Sequence, residues 1–272
     1  MFFIYHNSFD VSGIDYYVGT TGDDNNSCNQ SDPCKTLDAQ HLYVDSTTEY
    51  TVYIIDSTTL SEKYGQAAIL QTQHTFTNNP DDIDVQSGIQ INIGGQFRIL
   101  DKTRFERIDF TMQDGVSNDD GGVIFTNIEE QFMTLEIIRC SFIRCNTTNY
   151  GGALYLLISN LAESILRNLS FSNCETKILG GAIFANLNTG GKLTISGSCL
   201  FKDCKQLFTS GSGGAIFAEI RGENSQFTFE DSITFEKCSA RYGGGMQLEV
   251  YTKGQFTMTG SCLFTDQLVI FC

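Results

Sequence analysis

Two short motifs recur in phase along this chain, and their spacing constrains the fold more than any other feature. A Gly-Gly pair followed by a small residue and an aliphatic one occurs five times: GGVIFT from Gly121, GGALYL from Gly151, GGAIFA from Gly180, GGAIFA from Gly213 and GGGMQL from Gly243. The intervals are 30, 29, 33 and 30 residues. Between the pairs runs F-x-x-C, as FIRC from Phe142, FSNC from Phe171, FKDC from Phe201 and FEKC from Phe235. A fifth copy, FTDQ from Phe264, carries Gln267 in place of Cys. Repetition at this period marks a solenoid, in which each repeat packs only on its neighbours.

A third segment precedes the Phe motif: QFRIL from Gln96, KLTIS from Lys192, QFTFE from Gln226 and QFTMT from Gln255. Apolar and polar residues alternate there, which is the period of a half-buried strand. No segment shows the 3.6-residue period that helical repeats require. Three short strands per period, with polar or Gly-rich corners, predict an all-β fold: a right-handed parallel β-helix with three strands per coil and an N-terminal cap. Stacked coils place every side chain on its own copy about 4.8 Å away.

That stacking assigns roles by column. Ile124, Leu154, Ile183, Ile216 and Met246 form an inward aliphatic column, and Phe142, Phe171, Phe201, Phe235 and Phe264 an inward aromatic one. Phe125, Tyr155, Phe184, Phe217 and Gln247 fall on the opposite face and read as an outward aromatic stack. Cys140, Leu169, Cys199, Ile233 and Cys262 share a buried column in which Cys exchanges with Leu and Ile, the behaviour of a small apolar residue. The Gly pair is expected at a corner where one Gly takes positive φ and a β-carbon obstructs the neighbouring coil.

Composition narrows the partners. The net charge is −15, so phosphate-rich nucleic acid and anionic membrane surfaces are repelled. No stretch reaches the roughly 20 apolar residues of a membrane helix, and the apolar start of MFFIYHNSF is too short for a signal peptide core. The ten Cys fit an oxidising compartment. Cys28 and Cys34 lie in a polar loop and are expected to be disulfide-bonded. Cys145, Cys174, Cys204 and Cys238 form a ladder expected to hold mostly unpaired, buried thiols. Candidate glycosylation sequons begin at Asn25, Asn29, Asn146 and Asn168.

The alternation of GGAI with FxxC resembles the GGAI/FxxN repeats of chlamydial polymorphic outer-membrane proteins, over roughly residues 95–272. That resemblance implies β-helical, adhesive coils. It departs where the ladder cysteines replace the Asn of that family, and the chain shows no C-terminal autotransporter barrel, so export to a bacterial outer membrane does not carry over. The segment IDYYVGTTGDDNNSCNQSDPCKTLDAQ is similar to the opening of pectin-lyase-like β-helix proteins, with a strand at Tyr17 and Val18 and a short capping helix near residues 34–42. Leu37, Ala39 and Leu42 then plug the open end of the core. The organisation read from the sequence is an N-terminal extension (1–14), a cap (15–48) and a parallel β-helix (49–272), with clear repeats from about residue 95.

Catalysis on this fold needs carboxylates and a base gathered on one face. Asp81, Asp82 and Asp84 share one loop and Asp119 and Asp120 another, both in settings where Asp forms turns. Arg104 and Arg107 stand near Asp109 without a specific spacing, and His6, His41 and His74 all precede the repeats. The C-x4-C spacing of Cys140–Cys145 and Cys199–Cys204 is not that of a zinc site. The expectation is an extracellular or cell-surface structural or adhesive protein without cofactor or catalytic site, binding protein or glycan ligands. The alternative is a polysaccharide lyase or glycoside hydrolase acting on acidic glycans. The last residues, LVIFC, are apolar where earlier copies have polar corners, so the final coil is expected to be incomplete and to offer a surface for self-association.

Overall fold

The computed structural model describes residues 13–43, 48–65, 73–82, 84–113, 117 and 119–269. Residues 1–12 of the expected extension and 270–272 of the final apolar run lie outside them. The described chain is a parallel β-solenoid of about seven turns. Its first sheet has nine strands, from Ile14–Val18 to Gln255–Met258; the second has eight, from Ser57–Leu60 to Ser261–Thr265; the third has seven, from Lys63–Gly65 to Met246–Val250. A fourth ladder of five two-residue strands, from Asn146–Thr147 to Leu268–Val269, lies between the second and third sheets. Every pair of strands is parallel, and Phe171 aligns with Phe142 on one side and Phe201 on the other.

Alternation sets what each strand buries. In the first sheet Val52, Phe76, Phe105, Ile137, Leu166, Ile195 and Phe229 follow one another inward, while Thr51, Thr75 and Arg104 face out. The Phe column is the spine of the core: successive rings from Phe110 to Phe264 stack at 4.8–5.0 Å. Phe142, Phe171, Phe201 and Phe235 are fully buried, whereas Phe264 on the last described rung is 48% exposed. Ile124, Leu154, Ile183 and Ile216 are likewise fully buried and Met246 partly so. At the other end Leu37, Ala39 and Leu42 are buried, and in place of the expected capping helix near 34–42 the described residues of the cap form a 3-10 turn, Gln40–Tyr43.

Corners are made by residues in the left-handed region. The residue before each ladder position, Arg144, Asn173, Asp203, Lys237 and Asp266, has φ of 52–55°. The first Gly of each pair, Gly121, Gly151, Gly180, Gly213 and Gly243, has φ of 59–69°. The second Gly does different work. A Cβ on Gly152, Gly181 or Gly214 would overlap the carbonyl oxygen of the corresponding Gly in the next coil. One glycine is needed for its dihedral freedom, the other for the closeness of the next backbone.

The register also corrects the sequence alignment. QFRI, residues Gln96–Ile99, belongs to the third sheet, with Phe97 opposite Ile124, and not to the sheet that carries KLTIS and QFTF. Gly94 and Gly95 are therefore a sixth copy of the Gly pair, and Phe110, opposite Phe142, is a sixth copy of the Phe motif with Gln113 at the ladder position.

Two substitutions test these corners. Gly181→Ala should destabilise by more than about 2 kcal/mol, because the nearest groups are backbone and cannot move aside. Arg144→Asn should stabilise by about 0.5–1 kcal/mol, since Asn tolerates positive φ and Arg does not. Urea midpoints at a common slope measure both.

Candidate functional site

The ladder that begins at Cys145 has a definite job. Cys174 Sγ donates to the carbonyl of Phe142 at 3.5 Å, Cys204 to Phe171 at 3.9 Å and Cys238 to Phe201 at 3.3 Å. Each thiol also lies 3.5–3.7 Å from the carbonyl two residues before it. Gln267, on the next rung, makes the same pair of bonds through Nε2, to Phe235 at 3.0 Å and to Thr265 at 2.8 Å. The column is thus a line of donors to corner carbonyls, in which a thiol and an amide are interchangeable. Cys145, Cys174, Cys204 and Cys238 are free and fully buried; Cys140 and Cys199 are free and buried, and Cys262 is partly exposed. Burial pushes the Cys140 thiol up to about 12 and raises Cys145 and Cys204 well above the ordinary range.

Cys28 and Cys34 form a disulfide with Cα atoms 4.6 Å apart, closing the cap loop. The loop is pinned to the first coil. Asp24 accepts from the N–H groups of Lys35 and Thr36 at 2.9 and 2.7 Å, and Asp56 from Thr20 N–H at 2.9 Å. Partial burial opposes ionisation of Asp56, but the bonds from Thr20 and Ser57 hold its carboxyl below the usual range. The pinned loop overhangs the second sheet and walls a hollow of about 290 Å³. Its floor is open because small residues, Ser57, Gly88 and Asp109, succeed one another in register. Lys35 lines it without an ion pair among the described residues, and Asp109 accepts from Ser141 Oγ. Such a surface of hydroxyls, methyls and one charge of each sign can hold a small hydroxylated ligand. The hollow is not legible in the sequence, because its two sides are joined only by the cap.

Asp119 and Asp120 are held in structural contacts. Asp119 Oδ1 lies 2.8 Å from Lys63 Nζ and 3.6 Å from Arg98. Burial raises the Asp120 carboxyl above its usual range; the Tyr150 N–H and Arg98 act against this and Asp119 adds to it. Tyr155 beside it is pushed up to about 12, first by burial and then by Asp120. Gln96 fastens this corner by donating to the Asp120 carbonyl at 2.7 Å. Arg104 pairs with Glu106 at 2.6 Å and Glu136 at 2.8 Å on the first sheet, and Arg107 and Arg139 each lie 3.4 Å from Glu106. Asp109 is on a different face from these arginines. Asp81, Asp82 and Asp84 lie in a turn that Asn78 closes by donating to the carbonyls of Asp82 and Val85. Among the described residues no three His, Cys, Asp or Glu side chains converge as metal ligands do.

His74 is buried in the core, stacked on Tyr50 at 4.1 Å, with Nδ1 3.3 Å from Asp101. His6 and the side chain of His41 lie outside the described residues. The outward stack exists: Phe125, Tyr155, Phe184 and Phe217 are parallel at 4.9–5.7 Å. Phe184 and Phe217 are nevertheless buried, with Tyr150 folded over Phe184 at 5.0 Å. Among the sequons, Asn25, Asn29 and Asn168 are exposed, whereas Asn146 sits within a strand with its Oδ1 buried.

Thiol chemistry tests the ladder. In the native chain only Cys262 of the seven described free cysteines should react with an alkylating reagent below pH 9. All seven should react after denaturation without reductant. A cross-linked ladder would instead show as missing thiols. No family model, no curated protein and no solved structure matches this chain.

Proposed function

We propose that this chain is a non-catalytic adhesive or structural β-solenoid that acts outside the cell or on its surface. The observation that carries the reading is the use of its charged groups. Asp119, Glu106, Glu136 and Glu236 are committed to ion pairs, Asp109 accepts from Ser141, and Asp81 and Asp82 stand in a turn held through their backbone groups. What is offered to a partner is a rod about 40 Å long, with faces that repeat from coil to coil. The disulfide in the cap fits an oxidising medium. The acidic surface fits a protein or glycan partner and not nucleic acid.

A second reading, cleavage of acidic glycans, draws on the Asp119–Asp120 corner, where one carboxylate is ion-paired and the other is raised. That separation is what acid–base pairs use. Incubated with polygalacturonate and other acidic glycans with and without Ca²⁺, the protein should release no reducing or unsaturated ends. It should bind at least one component of a combined glycan and protein array. Turnover that disappears in Asp119→Asn with Asp120→Asn would replace the adhesive reading by the enzymatic one.

A further inference from the structure

The turns that lead from the third sheet back to the first differ in one respect. Their equivalent positions are Phe132, Leu161, Gly190, Asn224 and Lys253, each two residues before its strand. Phe132 has φ of 80° and Leu161 of 68°, the region that bulky L-residues avoid, while Gly190, Asn224 and the polar Lys253, with φ of 62–86°, serve the same place in the other coils. Neither residue is bought by packing: Phe132 is 66% exposed and Leu161 44%. Leu161 leans across the next turn, where a Cβ on Gly190 would strike its Cδ2. A strained, exposed aromatic ring that the core does not require is a feature with a use outside the core.

Beneath these two side chains lies a hollow of about 420 Å³. Its polar wall is the row of first residues of four strands of the first sheet, where Gln73 and Lys102 are adjacent in register and Thr134 is adjacent to Glu163. Gln131 closes the turn side. Gln73, Lys102, Gln131 and Glu163 make no side-chain hydrogen bond or ion pair with any described residue. Four long side chains therefore present amide and ammonium donors and amide and carboxylate acceptors beside one exposed aromatic ring.

We infer that this hollow is a binding site for a neutral oligosaccharide, with a sugar ring stacked on Phe132. The face of an aromatic ring is electronegative and attracts the C–H groups of a pyranose face. The hydroxyls around that sugar are donors and acceptors at once, which suits a mixed wall of Gln, Lys and Glu. One ammonium and one carboxylate leave the wall without net charge, and the chain's −15 disfavours a polyanionic glycan. A purely apolar peptide would leave all four polar side chains desolvated and unpaired. The inference rests on the adhesive reading and names a ligand class for it.

The test is affinity electrophoresis in native gels containing soluble neutral polysaccharides: mixed-linkage β-glucan, xyloglucan, galactomannan or dextran. The wild-type chain should be retarded in at least one. Phe132→Gly should weaken that retardation at least tenfold while raising the thermal midpoint by about 2–4 °C, because Gly accepts the positive φ. The double variant Lys102→Ala with Gln131→Ala, which breaks no internal bond, should lose retardation at least tenfold with an unchanged midpoint. No retardation in any gel, or retardation that survives both variants, overturns the site. Binding to the combined array that persists in Phe132→Gly would leave the adhesive reading standing and remove only this site from it.

Discussion

Everything in this molecule depends on how closely one coil can lie on the next. A parallel ladder holds strands about 4.8 Å apart, and that spacing must be kept at the corners as well as along the faces. At the double-glycine corner the carbonyl of one coil lies where the β-carbon of the neighbouring coil would be. Removing that carbon lets the backbone close, and closure fixes the register of all the strands that follow. The Phe rings then meet at 4.8–5.0 Å because the backbone beneath them does. The core is not assembled from complementary shapes, as in most domains, but from one shape repeated on itself.

The same spacing explains the donor ladder. A chain that turns through a left-handed residue leaves carbonyls pointing along the corner, and a short side-chain donor one position later can reach two of them. Thiols do this in three coils, at Cys174, Cys204 and Cys238, and an amide in the coil beyond. The site selects for a donor of modest length at a fixed place and is indifferent to its chemistry. Sulfur makes the weaker bond but fills a dry position well.

Much of the architecture was legible because period and alternation are properties of the chain alone. The five Gly pairs and the Phe motif located the coils, and the inward residues followed from the pleat. The sixth Gly pair, Gly94–Gly95, is hidden in the sequence because the residues after it, Gln96 and Phe97, do not match the small-then-aliphatic pattern of the others. Its strand shares its first two letters with QFTF, although pairing places Phe97 opposite Ile124. The two-residue ladder was too short to carry an alternation. Function was less legible, for a physical reason. Both hollows are made where segments distant in sequence meet: the cap loop over Ser57 and Gly88, and the Phe132 turn over Gln73 and Lys102. No local pattern announces such a meeting. The one local signal was Phe132 itself, and its meaning lies in a dihedral angle that a sequence does not display.

The buried thiols carry a consequence for lifetime. Among the described residues six free cysteines lie in the closed interior, four of them one above another. While the coils are stacked, no oxidant reaches them. If the solenoid opens in an oxidising medium, neighbouring thiols become available together, and an oxidant in that medium that takes two electrons from a pair of them would leave a disulfide between rungs that need not match the stacked order. In such a medium opening would be a one-way event, and the durability of the rod would follow how rarely its coils part and not the balance between folded and unfolded chains.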